Sequence, residues 1–331
     1  MGHGAYKPKT AMTTPFGLYE FNRMPFGLTN APAIFQRLME RCLAGLNLTI
    51  CLVYLGDVIV FDSTFEEIRK RLQIVLKRLG DFGLRLKTSK CKRFHTELSY
   101  LGHVVSELGV SPDPDKIKAL EECLQHPPKN ASELQTFLGF AGYYRSFVEG
   151  FAQTAKSLHQ LVAQQSKKQL PKKSHFQWTP TCQAAFKIII SKLTSPPVLA
   201  YPDISLPFTL HSDASGEGLG AALYQVQNGR ARVIAYGSRT LNDAERKYSA
   251  YRREFLALKW AITEKFRPYL YGYKFHVVTD SNPFTYLITF AKLSATDHCW
   301  LSGLAPFDFM TTYRDGKVTV MRMAFHVCPT P

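Results

Sequence analysis

Residues 50–61 read ICLVYLGDVIVF, two apolar runs rich in Val, Ile, Leu and Tyr around the dipeptide Gly56-Asp57. Runs of this kind joined by a Gly-containing dipeptide form a β-hairpin with a tight two-residue turn. A tight turn between buried strands also holds an acid such as Asp57 rigidly at a surface. The flanking pattern supplies helices to cover the hairpin. Asn30 is placed to cap one, with Pro32 in its first turn and an apolar stripe of Ile34, Phe35, Leu38, Met39, Cys42, Leu43 and Leu46 that reads as core. Ser63 or Thr64 with Glu66 or Glu67 forms a capping box for a second, carrying Ile68, Leu72, Val75, Leu76 and Leu79 and ending at Gly80.

The 331 residues, 45% hydrophobic and 20% charged, suffice for about two globular domains. A net charge of +15 fits a polyanionic partner, since phosphate neutralisation releases counterions, or a basic surface without a ligand. The seven cysteines are scattered, with no C-x-x-C pair, and read as reduced intracellular thiols. Nowhere do about 18 apolar residues run together, so no membrane span is expected. The oligomeric state stays open.

Residues 13–35 form a Pro- and Gly-punctuated loop leading into the first helix. Its small residues beside Arg23 allow close backbone approach by a ligand, although a structural turn is the simpler reading. Further on, SELQ from Ser132 is a capping box for a helix with Leu134, Phe137, Leu138, Ala141 and Tyr144 on one face. Residues 164–173, QQSKKQLPKK, read as a basic linker. Beyond an apolar helix around 185–193, residues 208–215 form a strand carrying Asp213. GEGLGAALY and VIAYGS read as two more strands, residues 244–266 as a long helix carrying Glu254, and 275–280 as a strand ending on Asp280. Strand, helix and strand can present three carboxylates to one point. Hydrolysis of a phosphodiester through two divalent ions needs such a cluster.

MPFGLTNAPAIFQ, YLGDVIVF, LKTSKC, YLGHVV and FLGFAGYYRSF, in that order, resemble the polymerase protein of gypsy-class LTR retrotransposons. YLGD is similar to the Y-x-D-D signature of reverse transcriptases. SDAS, YSAYRREFLALKWA and VVTDSNPFTYL resemble the acid-bearing motifs of the RNase H domain that follows. The likeness runs from about residue 9 to about residue 317. It implies that Pro25, Phe26 and Gly27 touch template and that the helix from Asn30 borders the incoming nucleotide. It also implies that Lys87 or Lys90 faces its phosphates, unless both are solvated surface lysines, and that Leu101-Gly102-His103 forms the primer-grip hairpin. Arg145 would lie on a phosphate with the neighbouring rings near sugars, core packing explaining those rings equally well. Asp213, Glu254 and Asp280 would hold Mg2+ or Mn2+. The implied partners are an RNA–DNA hybrid or a primed template.

The departures weigh as much as the matches. By the resemblance, one polymerase Asp and the fingers segment lie upstream of residue 1, and a second Asp stands where this chain has Gly56. Glycine cannot ligate a metal, so Asp57 alone remains and templated DNA synthesis is expected to be lost. A fourth RNase H acid normally follows YRPGK. Here YRDGK runs into VTVMRMAFHVCPTP, without Asp or Glu, which reads as a replaced tail in which His326 is an incidental histidine sooner than a substitute ligand.

The expected fold is α+β. It comprises a truncated reverse-transcriptase palm at 1–104, a thumb- or connection-like helical segment at 105–165, a linker at 166–173, an RNase H-like α/β domain at 174–317 and a divergent tail at 318–331. Two functions remain: a reverse transcriptase/RNase H chain that cleaves RNA in RNA–DNA hybrids, or a catalytically inactive relic that binds nucleic acid.

Overall fold

A computed structural model describes residues 4–25, 27–166, 176–279 and 295–313. Phe26, Asp280, most of the basic stretch at 164–173 and the tail from 314 therefore lie outside the described residues. The chain divides into two units, 1–95 and 96–331.

In the first unit, β1 (Met12–Thr14) and β2 (Gly17–Tyr19) pair antiparallel. They are followed by α1 (Ala31–Cys42), the hairpin β3 (Cys51–Tyr54) and β4 (Asp57–Val60), and α2 (Phe65–Asp81). Met39, Cys42, Leu43, Cys51, Val53, Val75 and Leu79 interlock as its core. Not all of the apolar stripes reach that core, for Ile34, Leu38 and Leu76 are about 40% exposed or more. Asn30 occupies the cap position of α1 without a side-chain cap bond, because its backbone is already helical. Thr64 does cap α2, its Oγ1 accepting from Glu67 N at 3.3 Å. That helix passes through Gly80 and stops beyond Asp81. The residue that turns the chain away is Gly83, at φ +69°.

The second unit opens with a meander of β5 (Glu97–Tyr100), β6 (His103–Ser106) and β7 (Gly109–Pro112). Helices α3 (Pro114–Gln125), α4 (Ala131–Tyr143), α5 (Phe151–Thr154), α6 (Lys156–Ser166) and α7 (Pro180–Thr194) follow. Helix α4 is capped by Asn130 rather than Ser132. Asn130 Oδ1 accepts from Glu133 N at 2.9 Å, while Glu133 Oε2 accepts from Lys129 N at 2.8 Å. Helix α7 packs its buried face against α3, α4 and α6 in one cluster, with Phe137 and Phe186 ring centroids 4.6 Å apart.

A five-stranded sheet completes the unit: β8 (Phe208–Ala214), β9 (Gly218–Gln227), β10 (Arg230–Thr240), β11 (Phe275–Thr279) and β12 (Phe309–Tyr313). Their spatial order is β10-β9-β8-β11-β12, with β8, β9 and β10 antiparallel and β11 parallel to both its neighbours. Helices α8 (Ala250–Trp260), α9 (Arg267–Leu270) and α10 (Ala295–Leu304) join the sheet core around Phe208, Leu210, Phe255 and Phe275. The single helix expected over 244–266 is broken. Residues 245–247 form a 3-10 turn tied by Arg239–Glu245 at 2.7 Å, and Ser249 Oγ starts α8 by accepting from Arg252 N. The last turn widens into a π-helix over Ala261–Lys265.

At the β10 edge, Arg145 Nη2 donates to the Ser238 carbonyl at 2.7 Å. Unpaired carbonyls of an edge strand invite pairing with other chains, and a guanidinium laid on one blocks that approach. Gly218 and Gly220 of the GEGLG stretch sit in β9, where Gln153 of α5 packs close to their backbone. Those glycines serve close packing. Among the described residues, no helix is long and apolar enough to cross a membrane.

Candidate active site

Strand β8 ends on Asp213 and Ala214, with Asp213 opposite Gly220 of β9. Helix α8 crosses that end of the sheet, and its Glu254 Oε1 accepts a hydrogen bond from Ala214 N at 3.2 Å. The bond ties one carboxylate to the residue following the other, so Asp213 and Glu254 share one end of β8. Asp213 is exposed and Glu254 half-buried. A strand end and a packed helix restrict both backbones, the condition for a cluster of acids to persist despite mutual repulsion. Strand β11 lies parallel to β8, with Val278 beside His211. Asp280 is the second residue after Val278 in sequence and lies outside the described residues.

The hairpin residues separate differently. The turn of β3–β4 is Leu55-Gly56, with Leu55 at φ +54°, and Asp57 already belongs to β4 opposite Tyr54. The dipeptide Gly56-Asp57 is thus not the turn. The backbone conformation that favours glycine is taken by leucine, while Leu55 N donates to Gln36 Oε1 at 2.5 Å. Asp57 is exposed at the surface. Pro25 is half-buried, Gly27 and Asn30 are exposed before α1, and Lys90 is exposed in a 3-10 turn over Thr88–Lys90.

Gly102 lies in the β5–β6 turn at φ +75°, after Leu101 at +49°. Tyr144 OH donates to the Gly102 carbonyl at 2.7 Å and Tyr143 OH to that of Leu101, so both tyrosines clamp the hairpin. Tyr144 and Phe147 pack into the protein, at 2% and 3% exposed, while Tyr143 is 54% exposed, and His103 sits 5.1, 5.3 and 5.6 Å from the rings of Tyr143, Tyr144 and Phe147. Burial pushes the Tyr144 hydroxyl up to about 12.

Burial also holds the His103 imidazole below its ordinary value, against the raising effects of the Leu101 carbonyl and Asp113. A base depressed in the fold is favoured neutral. Its stabilising contribution is complete above the unfolded pKa of 6.5 and drains as pH falls from there toward the folded value. His159, depressed by burial and by Arg145, acts in the same sense. Replacing His103 by Phe is expected to remove part of the drop in thermal midpoint between about pH 7 and about pH 5. Identical drops in wild type and variant would show that the imidazole does not titrate with unfolding.

Comparison with known proteins decides what these elements belong to. Residues 3–105 match the family "Reverse transcriptase (RNA-dependent DNA polymerase)", and residues 178–277 match "RNase H-like domain found in reverse transcriptase". The chain carries reverse transcriptase and RNase H-like domains. It is homologous to Drosophila melanogaster Pol polyproteins. It is 38% identical to that of transposon 297 over 93% of this chain and 28% of the relative, and 36% identical to that of opus over 97% and 32%. For transposon gypsy the values are 35%, 94% and 30%. The chain thus spans about a third or less of these relatives.

Among solved structures, a foamy viral protease-reverse transcriptase in complex with double-stranded DNA matches with a TM-score of 0.80 at 22% identity, over 96% of this chain and 55% of that one. The same viral protein in complex with an RNA/DNA hybrid gives 0.75 at 22% identity, over 97% and 43%. The mixed α/β fold expected from the sequence is the one observed. Reverse transcriptase and RNase H families use divalent metals, Mg2+ above all. Among the described residues, no group of three His, Cys, Asp or Glu side chains is placed to hold one. In the RNase H-like domain the donors present at that strand end, Asp213 of β8 and Glu254 of α8, are the hard oxygen ligands that such ions take.

Proposed function

We propose that this chain is a retroelement-derived protein that cleaves the RNA strand of RNA–DNA hybrids and no longer performs templated DNA synthesis. The observation that carries the reading is the Ala214 N–Glu254 hydrogen bond beside Asp213. It orients one carboxylate while the exposed Asp213 offers its oxygens to solvent. Asp213 and Glu254, with Asp280, are the residues that would hold Mg2+ or Mn2+. Bound there, a divalent ion supplies activation of water and neutralisation of the leaving oxygen. The net charge of +15 favours a nucleic-acid partner. On the polymerase side, Gly56 stands beside Asp57 and offers no metal ligand, so the hairpin carries one acid where two-ion chemistry uses a pair.

The test is a labelled RNA strand annealed to DNA, incubated with the full chain and either Mg2+ or Mn2+, alongside a primed template with nucleotides. Metal-dependent shortening of the RNA without primer extension is the expected result. A folded protein that binds the hybrid without cutting it would move the assignment to a binding relic. Extension of the primer would refute the polymerase half.

A further inference from the structure

Two adjacent arginines precede Phe255 on α8, and the fold uses them differently. Arg252 has its place within the protein: Nε lies 3.3 Å from Asp297, and the guanidinium carbon sits 4.4 Å from the Tyr248 ring centroid and 5.4 Å from that of Trp300. The side chain of Arg253, next to Glu254, makes no hydrogen bond or ion pair among the described residues, and its Nε is buried without a partner. Its guanidinium lies on the β8–β9 turn. A Cβ at Gly216 would stand 3.0 Å from Nη1, so glycine there leaves room for the group. The same turn follows directly on Asp213 and Ala214. Glu217 beyond it is already paired with Lys156 at 2.6 Å.

An arginine with a buried, unpaired nitrogen is costly unless something completes it. A guanidinium presents a planar fork of donors that matches phosphate oxygens. We propose that Arg253 contacts a backbone phosphate of the nucleic acid held at the Asp213–Glu254 end of the sheet. The inference rests on the RNase H reading above and adds a residue that binds substrate beside the acids.

The readout is hybrid binding by the full chain in EDTA, where no cleavage occurs, as a function of salt. Each phosphate neutralised on a duplex contributes a slope of about −0.9 in log affinity against log salt. Arg253→Ala should therefore bind more weakly at low salt and show a slope shallower by about 0.9. Between about 50 and 200 mM salt, wild type would lose about 3.5-fold more affinity than the variant. Arg253→Lys should restore the slope and Arg253→Gln should not, a contrast that holds even if the alanine variant folds poorly. Equal slopes for the lysine and glutamine variants overturn the inference. Wild type that binds but does not cut refutes the hydrolase reading while the slope still judges Arg253. Wild type that binds no hybrid overturns both.

Discussion

Asp213→Asn is expected to reduce metal-dependent hybrid cleavage by at least about 100-fold, since even outer-shell changes at metal sites cost about 10–100-fold. The side chain is exposed at the end of β8, so the thermal midpoint should barely move. Glu254→Gln makes the sharper comparison. An amide oxygen still accepts from Ala214 N, which holds Glu254 Oε1 at 3.2 Å, so the geometry is kept and only the charge is lost. A comparable collapse in both variants, measured as initial rates in Mg2+, is the expected outcome. Full activity in either would show that cutting occurs elsewhere.

The largest effect on stability is expected at Gly109. Its φ of +131° belongs to glycine, and a Cβ there would overlap the Leu199 carbonyl oxygen. That oxygen accepts from Val110 N at 2.8 Å, and Leu199 N returns a bond to Val110 O at 2.9 Å. Ala200 N then donates to Val233 O at 2.8 Å, so this short piece joins the β5–β7 meander to β10. Gly109→Ala combines about 1–3 kcal/mol of backbone strain with about 1–3 kcal/mol of overpacking. A loss of about 3 kcal/mol is expected in denaturant unfolding. Gly17→Ala is the control, with a similar φ of +129° and nothing within 4 Å. If the two variants lose equally, the Leu199 contact yields without cost.

Much of this architecture was legible because period and punctuation coincide. The strand runs around Asp213 and the stripe of α4 follow directly from alternation and helical spacing. Misreadings arose where several residues competed for one local role. Asn130 and Ser132 both suit a helix start, and Asn130 takes it because Glu133 then stands three positions on and closes the reciprocal bonds. Ser249 was hidden in a stretch of good helix formers, yet its hydroxyl sets where α8 begins. At the β3–β4 hairpin, leucine takes the left-handed backbone next to an available glycine. Pattern rules do not foresee that choice. Within the candidate site, the acids could be read because strand and helix positions predict a shared sheet end. Arg253 could not, for it is indistinguishable from Arg252 in sequence, and only packing assigns one to Asp297 and the aromatic rings.

The company kept by α7 determines how this chain behaves when cut. Cys182, Ala185, Phe186, Ile189, Ile190 and Leu193 are buried in a cluster built mainly of helices that come before the basic stretch, with Val233 of β10 at its margin, and not in the core of the five-stranded sheet that comes after it. Protease nicking between α6 and α7 would therefore leave two pieces gripping one another. A shortened protein beginning after the nick would instead carry a bare greasy helix into solution, and self-association would mask whatever enzymology its sheet retains.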